Sequence, residues 1–286
     1  MGQPSTWWPS RGDALRNDRV GIITVNWNTR ALVALLIWSL HRVLRPKSFD
    51  LLVIDNGSSD GSPEFLQGCA DLGLCSVLAN EKNQLHGPAI NQGISEFARR
   101  QAAGTAEVSW IWILDSDCVV VDADVLDLAA AAAVATDAAV LGEMRWDPWH
   151  KTDRLAAHSL WIDPGQAWRP SAALFEDGGD PDFAFQQSCL AAGYRLGNFP
   201  FTAGGHVIHR GRASLAEVAE RRDTQNPLYA WSLDHHEPHF DGVSGADAAY
   251  ARQLAEFEQN VGLLRPERLA GALRSVRRLD STSPNG

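Results

Sequence analysis

The sequence predicts an α/β fold: an open, mostly parallel sheet flanked by helices, followed by a smaller subdomain and a helical C-terminal tail. Three observations predict it. Short runs that are apolar on both faces, as in strands buried inside parallel sheets, recur through the first part of the chain. Between them lie stretches whose apolar residues repeat at helical spacing. Each of the clearest runs ends at a polar or acidic residue followed by a turn-rich loop. Such alternation gives right-handed crossovers and places ligands beyond the carboxyl ends of the strands.

Residues 1–18 show no periodicity and read as an arm. Val20–Val25 is the first strand. Asn28-Thr29 is expected to cap a helix that carries Leu32, Leu35, Leu36, Ser39 and Leu40 on one face. Leu51–Ile54 forms the second strand and ends in Asp55. The loop Asn56–Gly61 is dense in turn formers, and Ser62-Pro63 supplies a cap and a first-turn proline for the next helix. Ser76–Leu78, a polar loop from Asn80 to His86 and a helix with Ile90, Ile94, Phe97 and Ala98 on one face continue the pattern. Val108–Leu114 is the most apolar strand and runs into Asp115-Ser116-Asp117. Asn26, Asp55 and Asp115 therefore share the carboxyl edge of the sheet, which marks a candidate site without reference to any family.

From Gly142 to Phe175 the alternation stops, and Trp146, Trp149, Trp161 and Trp168 crowd together in a chain with 11 Trp. A helix with Phe185 and Cys189 on one side follows, then His-rich segments at 206–209 and 235–239. The C-terminal region holds a basic amphipathic helix, with Leu269, Leu273 and Val276 on one face and Arg268, Arg274, Arg277 and Arg278 elsewhere.

Composition narrows the function. In 286 residues, 45% hydrophobic and 21% charged, the chain has enough apolar material for a real core. A net charge of -10 argues against nucleic acid as the main ligand, because phosphate backbones are bound by clustered positive charge. The longest apolar run, Ala31–Leu40, is too short to cross a bilayer at roughly 20 residues per span, so no transmembrane segment is expected. No apolar stretch with a secretory cleavage site opens the chain, so the expected location is the cytoplasm. The four cysteines, Cys69, Cys75, Cys118 and Cys189, lack zinc-type pairing and are expected to be reduced thiols.

Asp-x-Asp occurs three times, at 115/117, 122/124 and 180/182. Only Asp115 and Asp117 terminate a long buried strand, where two carboxylates can meet a divalent cation together with phosphate oxygens and water. No Gly-x-Gly-x-x-Gly or Gly-x-x-x-x-Gly-Lys follows any strand, so a diphosphate bound at this edge needs a metal to neutralise it.

Val25-Asn26-Trp27-Asn28, Val53–Ser62 with Asp55-Asn56-Gly57-Ser58-Ser59-Asp60, Asn83 through Asn91-Gln92-Gly93-Ile94, and Leu114-Asp115-Ser116-Asp117 follow one another in order. Together, over about residues 19–121, they resemble the N-terminal half of family 2 glycosyltransferases of the GT-A fold. The resemblance implies a nucleotide-diphosphate-sugar donor, a Mg2+ or Mn2+ ion and transfer with inversion to a hydroxyl acceptor, a glycan or a small-molecule aglycone. Carried over by motif, Val25, Asn26, Trp27, Asp55 and Asn91 border the nucleotide sugar, with Asp55 the base or ribose contact. Asp60 shapes its loop. Asp115 and Ser116 border ribose and diphosphate, and Asp115 and Asp117 hold the metal. The segment His206–Arg212 resembles the late His-containing segment that completes the metal shell in many such enzymes. His209 is favoured over His206 because it precedes the Gly211 turn.

Inversion needs a general base beside the acceptor hydroxyl. Counting back from Ala192-Gly193-Tyr194 sets Pro181-Asp182 where the family carries a Glu-Asp pair, so the Glu is absent. Asp182 is the first candidate, Asp180 the second and Glu176-Asp177 the third; a helix cap is the competing role. The resemblance divides the chain into an arm (1–18), a nucleotide-sugar-binding half (19–141), an acceptor-binding and catalytic half (142–212) and a helical extension (213–286). The Trp cluster is either an acceptor wall or the packing of the small subdomain. The basic C-terminal helix is open to peripheral membrane contact, to a partner such as a second copy, or to packing on the body. Two alternatives stand beside this reading. A sugar-phosphate nucleotidyltransferase needs a glycine-rich basic loop after the first strand, and Asn26-Trp27-Asn28 is not one. A non-catalytic sugar-nucleotide binder is kept open by the missing Glu. Whether the sugar is a hexose or a deoxysugar, and what the acceptor is, depend on the region where resemblance fades.

Overall fold

The early apolar runs are strands, as their two-sided hydrophobicity demands. The computed structural model describes residues 8, 19–168, 175, 181–220, 233–234, 237, 239–240, 244–261 and 265–282. β1 (Val20–Asn26), β2 (Phe49–Asp55), β3 (Ser76–Ala79) and β4 (Trp110–Leu114) are joined by α1 (Arg30–Val43), α2 (Ser62–Asp71) and α3 (His86–Ala102). They lie parallel in the order β4-β1-β2-β3.

Next come β5 (Cys118–Val120), α4 (Val125–Thr136), β6 (Ala138–Gly142), β7 (Met144–Asp147), β8 (Thr152–Leu155), β9 (Ser159–Ile162) and a short α5 (Pro164–Ala167). The described chain ends with α6 (Pro181–Ala191), β10 (Arg195–Asn198), β11 (Val207–His209), α7 (Ala213–Glu220), α8 (Ala246–Val261) and α9 (Pro266–Thr282). β9 enters the main sheet between β4 and β6, antiparallel to both, and β10 lies parallel to β6 at the edge. The seven-stranded sheet thus runs β10-β6-β9-β4-β1-β2-β3, with every strand except β9 pointing the same way.

The strands alternate their side chains between two cores. Val20, Ile22, Trp110 and Trp112 face α1, α2, α4, α8 and α9, while Ile23, Ile111 and Ile113 face α3, α5 and α6. Gly93 lets α3 approach β1, because a Cβ there would lie 2.7 Å from Cγ2 of Ile23. α9 buries Leu269, Ala270 and Leu273 against the body beside α1 and α2, so its apolar face is used within the chain.

The Trp cluster separates into two groups. Trp161 and Trp168 are buried in opposite cores, whereas Trp146 and Trp149 are exposed on the β7–β8 hairpin. Trp8, in the expected arm, is buried and lies 6.2 Å from Trp168 between ring centres.

Neither expected helix cap is used. The Thr29 hydroxyl donates to Oδ1 of Asn26 at 2.8 Å, and α2 begins at Ser62 itself after Gly61 in the left-handed region (φ 84°). Asp60 serves both helices, its Oδ2 accepting the Arg30 N–H at 2.9 Å and its Oδ1 the Ser62 N–H at 3.0 Å. A carboxylate suits both positive helix ends at once. Burial pushes Asp60 up, but its hydrogen bonds from Ser62 and Arg30 outweigh this and hold it below the ordinary carboxylate value. All four cysteines are free. Among the described residues no helix is long and apolar enough to cross a membrane.

Candidate active site

The carboxyl ends of β1 and β2 are paired in register, Asn26 against Asp55. Both are buried, and they hold each other: Nδ2 of Asn26 donates to Oδ1 of Asp55 at 2.8 Å and to the Ser58 hydroxyl at 3.1 Å. The Ser58 N–H closes on Oδ2 of Asp55 at 3.3 Å. Gly57 allows this turn, since its φ is 79° and a Cβ would meet the Lys82 backbone at 2.6 Å. Asn56 then ties the next loop in, donating to Oδ1 of Asn83 (3.0 Å) and accepting from Asn80 (3.0 Å) and the Gln84 N–H (3.0 Å). Val25 and Trp27 flank this network, half-buried.

The end of β4 joins the network through Ser116, whose hydroxyl lies 3.3 Å from that of Thr29. Asp115 donates its N–H to the His158 carbonyl at 3.0 Å, and the Cys118 N–H returns to the Asp115 carbonyl at 3.1 Å. That turn sends the chain into β5, which α1 fixes from below: the Val120 N–H donates to the Ser39 hydroxyl at 3.1 Å. β11 pairs antiparallel with β5, and the register sets His209 opposite Cys118.

The pairing delivers His209 to the acidic pair. Its Nε2 lies 3.4 Å from Oδ1 of Asp117 and 3.9 Å from Oδ2 of Asp115. His158 stacks on its ring at 4.3 Å between centroids. From the other side Nε2 of His86, at the start of α3, lies 3.8 Å from Oδ1 of Asp115. The Ala213 N–H, at the head of α7, reaches Oδ2 of Asp117 at 3.4 Å.

These surroundings drive the two carboxylates apart. Burial raises Asp115, and the charge of Asp117 adds to it against the pull of His86 and His209. Asp117 is also raised by burial, but the hydrogen bond and charge of His209 and the Ala213 N–H outweigh that and lower it.

The donor set fits a hard divalent cation. Octahedral bonds of about 2.1 Å place neighbouring ligands about 3 Å apart and opposite ones about 4.2 Å apart. The 3.4 and 3.9 Å separations fall between those limits, and two carboxylates with one imidazole leave positions for phosphate oxygens and water. Cys118, beside Asp117 and His209, would complete a softer set. Its thiol is fully buried, however, and donates to the His158 carbonyl at 3.7 Å. His206 is engaged elsewhere, its Nδ1 lying 2.5 Å from Oδ2 of Asp122.

The remaining sequence candidates are distributed as follows. Both polar groups of the Asn91 side chain are spent on the Phe175 backbone, donating at 2.7 Å and accepting at 3.0 Å. Asp182, in the first turn of α6, meets Nη1 of Arg154 at 3.0 Å; Nε of the same guanidinium reaches Oδ2 of Asp147 at 2.8 Å. Asp180, Glu176, Asp177, His235 and His236 lie outside the described residues.

Sequence reasoning missed His86 and Arg154. His86 carried a usable signal, since it follows the loop after β3 on the carboxyl edge. Arg154 carried none, because its partners come from β7 and α6.

Among curated protein sequences none matches the chain. Among solved structures, the mannosyltransferase PcManGT from Pyrobaculum calidifontis, in complex with GDP-Man and Mn2+, aligns at 14% identity and a TM-score of 0.49, over 99% of this chain and 82% of that one. S. aureus TarS 1–349, in complex with UDP-GlcNAc, aligns at 14% identity and a TM-score of 0.47, over 92% and 83%. The family model described as Glycosyl transferase family 2 matches residues 21–186, more than half of the chain. The chain therefore belongs to glycosyl transferase family 2 and is a glycosyltransferase.

Proposed function

We propose that the chain is an inverting, metal-dependent transferase that moves a sugar from a nucleotide-diphosphate sugar to a hydroxyl acceptor. The observation that carries this reading is the meeting of His209 with Asp115 and Asp117 at the carboxyl end of β4. A Mg2+ or Mn2+ ion held by these three side chains would neutralise the diphosphate, a task for which this chain has no glycine-rich cradle. The Asn26–Asp55 pair forms the floor of the nucleoside side, and Ser116 links it to the diphosphate side.

Asp182 serves as the base. It takes the proton of the acceptor hydroxyl as that oxygen bonds to the anomeric carbon and the nucleoside diphosphate leaves from the opposite face. Arg154 fixes its carboxylate through the 3.0 Å contact.

Calorimetry with UDP, GDP and TDP tests the metal requirement. One of these nucleotides is expected to bind in Mn2+ and to lose more than about 100-fold in affinity in Asp117→Asn, a ligand being worth more than the outer partners of a metal. Equal affinity in excess EDTA would overturn the reading.

A further inference from the structure

We propose that the β7–β8 hairpin is a carbohydrate-binding platform on which Trp146, Trp149 and Asp153 take a sugar ring of the acceptor. The word acceptor rests on the function proposed above; the binding surface does not.

Position comes first. β6 ends at Gly142 on the edge where β4 ends, and β9, antiparallel to both, begins there at Ser159. Leu114 pairs with Ser159, and the Asp115 N–H donates to the His158 carbonyl at 3.0 Å. The hairpin therefore rises from the carboxyl edge directly beside the acidic pair. Glu143 anchors its root, accepting the N–H groups of Thr202 at 2.8 Å and Ala203 at 3.1 Å.

The two faces of the hairpin do different work. Arg145 pairs with Arg154, Trp146 with Asp153 and Asp147 with Thr152, and directly opposed residues share a face. The face with Asp147 and Arg154 turns to α6, where Arg154 holds Asp182 at 3.0 Å and Phe183 stacks on His150 at 3.6 Å between centroids. The opposite face carries Trp146, 62% exposed, beside the exposed Asp153. Among the described residues nothing pairs with the Asp153 carboxylate. Trp149, 87% exposed, stands at the tip, where Oδ1 of Asp147 accepts its N–H at 2.8 Å. The residue that clamps Arg154 thus also fixes the turn that presents Trp149.

The chemistry selects a neutral sugar. An indole face covers the C–H surface of a pyranose, and an adjacent carboxylate accepts its hydroxyl protons. The net charge of -10 opposes an anionic occupant. A second copy of the chain is too large a partner for the patch. The two indoles and partly exposed Met144 offer on the order of 400 Å², about half of what each side of a stable interface buries.

The test uses the full chain with no donor present. It is titrated with neutral gluco-, manno-, galacto-, xylo- and N-acetylglucosaminyl oligosaccharides, followed by tryptophan emission and by heat. At least one series is expected to bind. Trp146→Ala and Trp149→Ala should each weaken that binding roughly tenfold, Asp153→Asn by less, with thermal unfolding and Mn2+-nucleotide affinity unchanged. The proposal is overturned if no oligosaccharide binds, or if the Trp146→Ala/Trp149→Ala double variant binds as well as the parent. It is equally overturned if sedimentation shows a dimer that the double variant dissolves. A parent that binds sugars but no nucleotide breaks the proposed function and leaves the platform standing.

Discussion

The β1–β2 edge and the β7–β8 hairpin stand on the same carboxyl edge of the sheet and are built on opposite plans. At the edge, Asn26 is 0% and Asp55 1% exposed, and their polar groups bond one another and the Ser58 turn. At the hairpin, two tryptophans face solvent while a line of polar contacts through Asp182, Arg154, Asp147 and His150 holds the back. A site whose polar groups are fixed before the ligand arrives loses little entropy on binding but accepts one shape. Exposed indoles accept many ligands of one chemistry. Under the proposed function, the first plan suits the nucleoside diphosphate and the second suits the acceptor.

Asp182→Asn probes this division most severely. If the hairpin side carries the proton transfer and the edge carries donor binding, transfer should fall by on the order of 10²- to 10⁴-fold while nucleotide affinity stays at the parent value. Single-turnover rates and calorimetry measure the two quantities separately. A matched fall in both would show that the two regions act as one. Unchanged transfer would move the base elsewhere, with Asp180→Asn the next variant to assay.

Asp60→Ala sharpens the other half. One carboxylate caps α1 and α2, so its removal frees the N–H groups of Arg30 and Ser62 together. At about 1 kcal/mol per cap, denaturant unfolding should show a loss of about 2 kcal/mol. A loss below about 0.5 kcal/mol would mean that the edge is held by the carboxamide network alone, without help from this cap.

How far each half was legible follows from the range of its contacts. β1, β2 and β4 are apolar on both faces and stop at Asn26, Asp55 and Asp115, so strand, edge and site residues are all local properties of the chain. The caps were legible as a need but not by acceptor: Thr29 and Ser62 stand at the right places, yet the Asp60 carboxylate serves both helices. β9 could not be read, because Ser159–Ile162 is too short to show a period and its place between β4 and β6 depends on residues far away. For the same reason Trp161 and Trp168 could not be told from Trp146 and Trp149. His209 was found through resemblance; only the β11–β5 register brings it to Asp117.

The smallest expected effect isolates the charges behind the hairpin. Asp147 is held down to about 2, chiefly by its hydrogen bond with His150 and then, against the opposing effect of burial, by the N–H groups of Trp149 and His150 and by Arg154. Unfolded, the same carboxyl titrates near 4, as an aspartate in a peptide does. Its folded value is the lower of the two, so the ionised form favours the folded chain: the contribution is complete above about 4 and disappears as the pH falls toward 2. Asp147→Asn cannot titrate. The stability difference between parent and variant should therefore narrow as the pH falls from about 4 to 2. Urea unfolding at each pH reads the difference directly, and subtracting the variant removes the acid-titrating groups that are not coupled to Asp147. A difference that persists unchanged at pH 2 would mean that the Asp147 contacts are steric, and that the hairpin owes its position to the Phe183–His150 stack and to Gln186, whose carboxamide accepts the Leu155 N–H at 2.8 Å and donates to the Leu155 carbonyl at 3.0 Å.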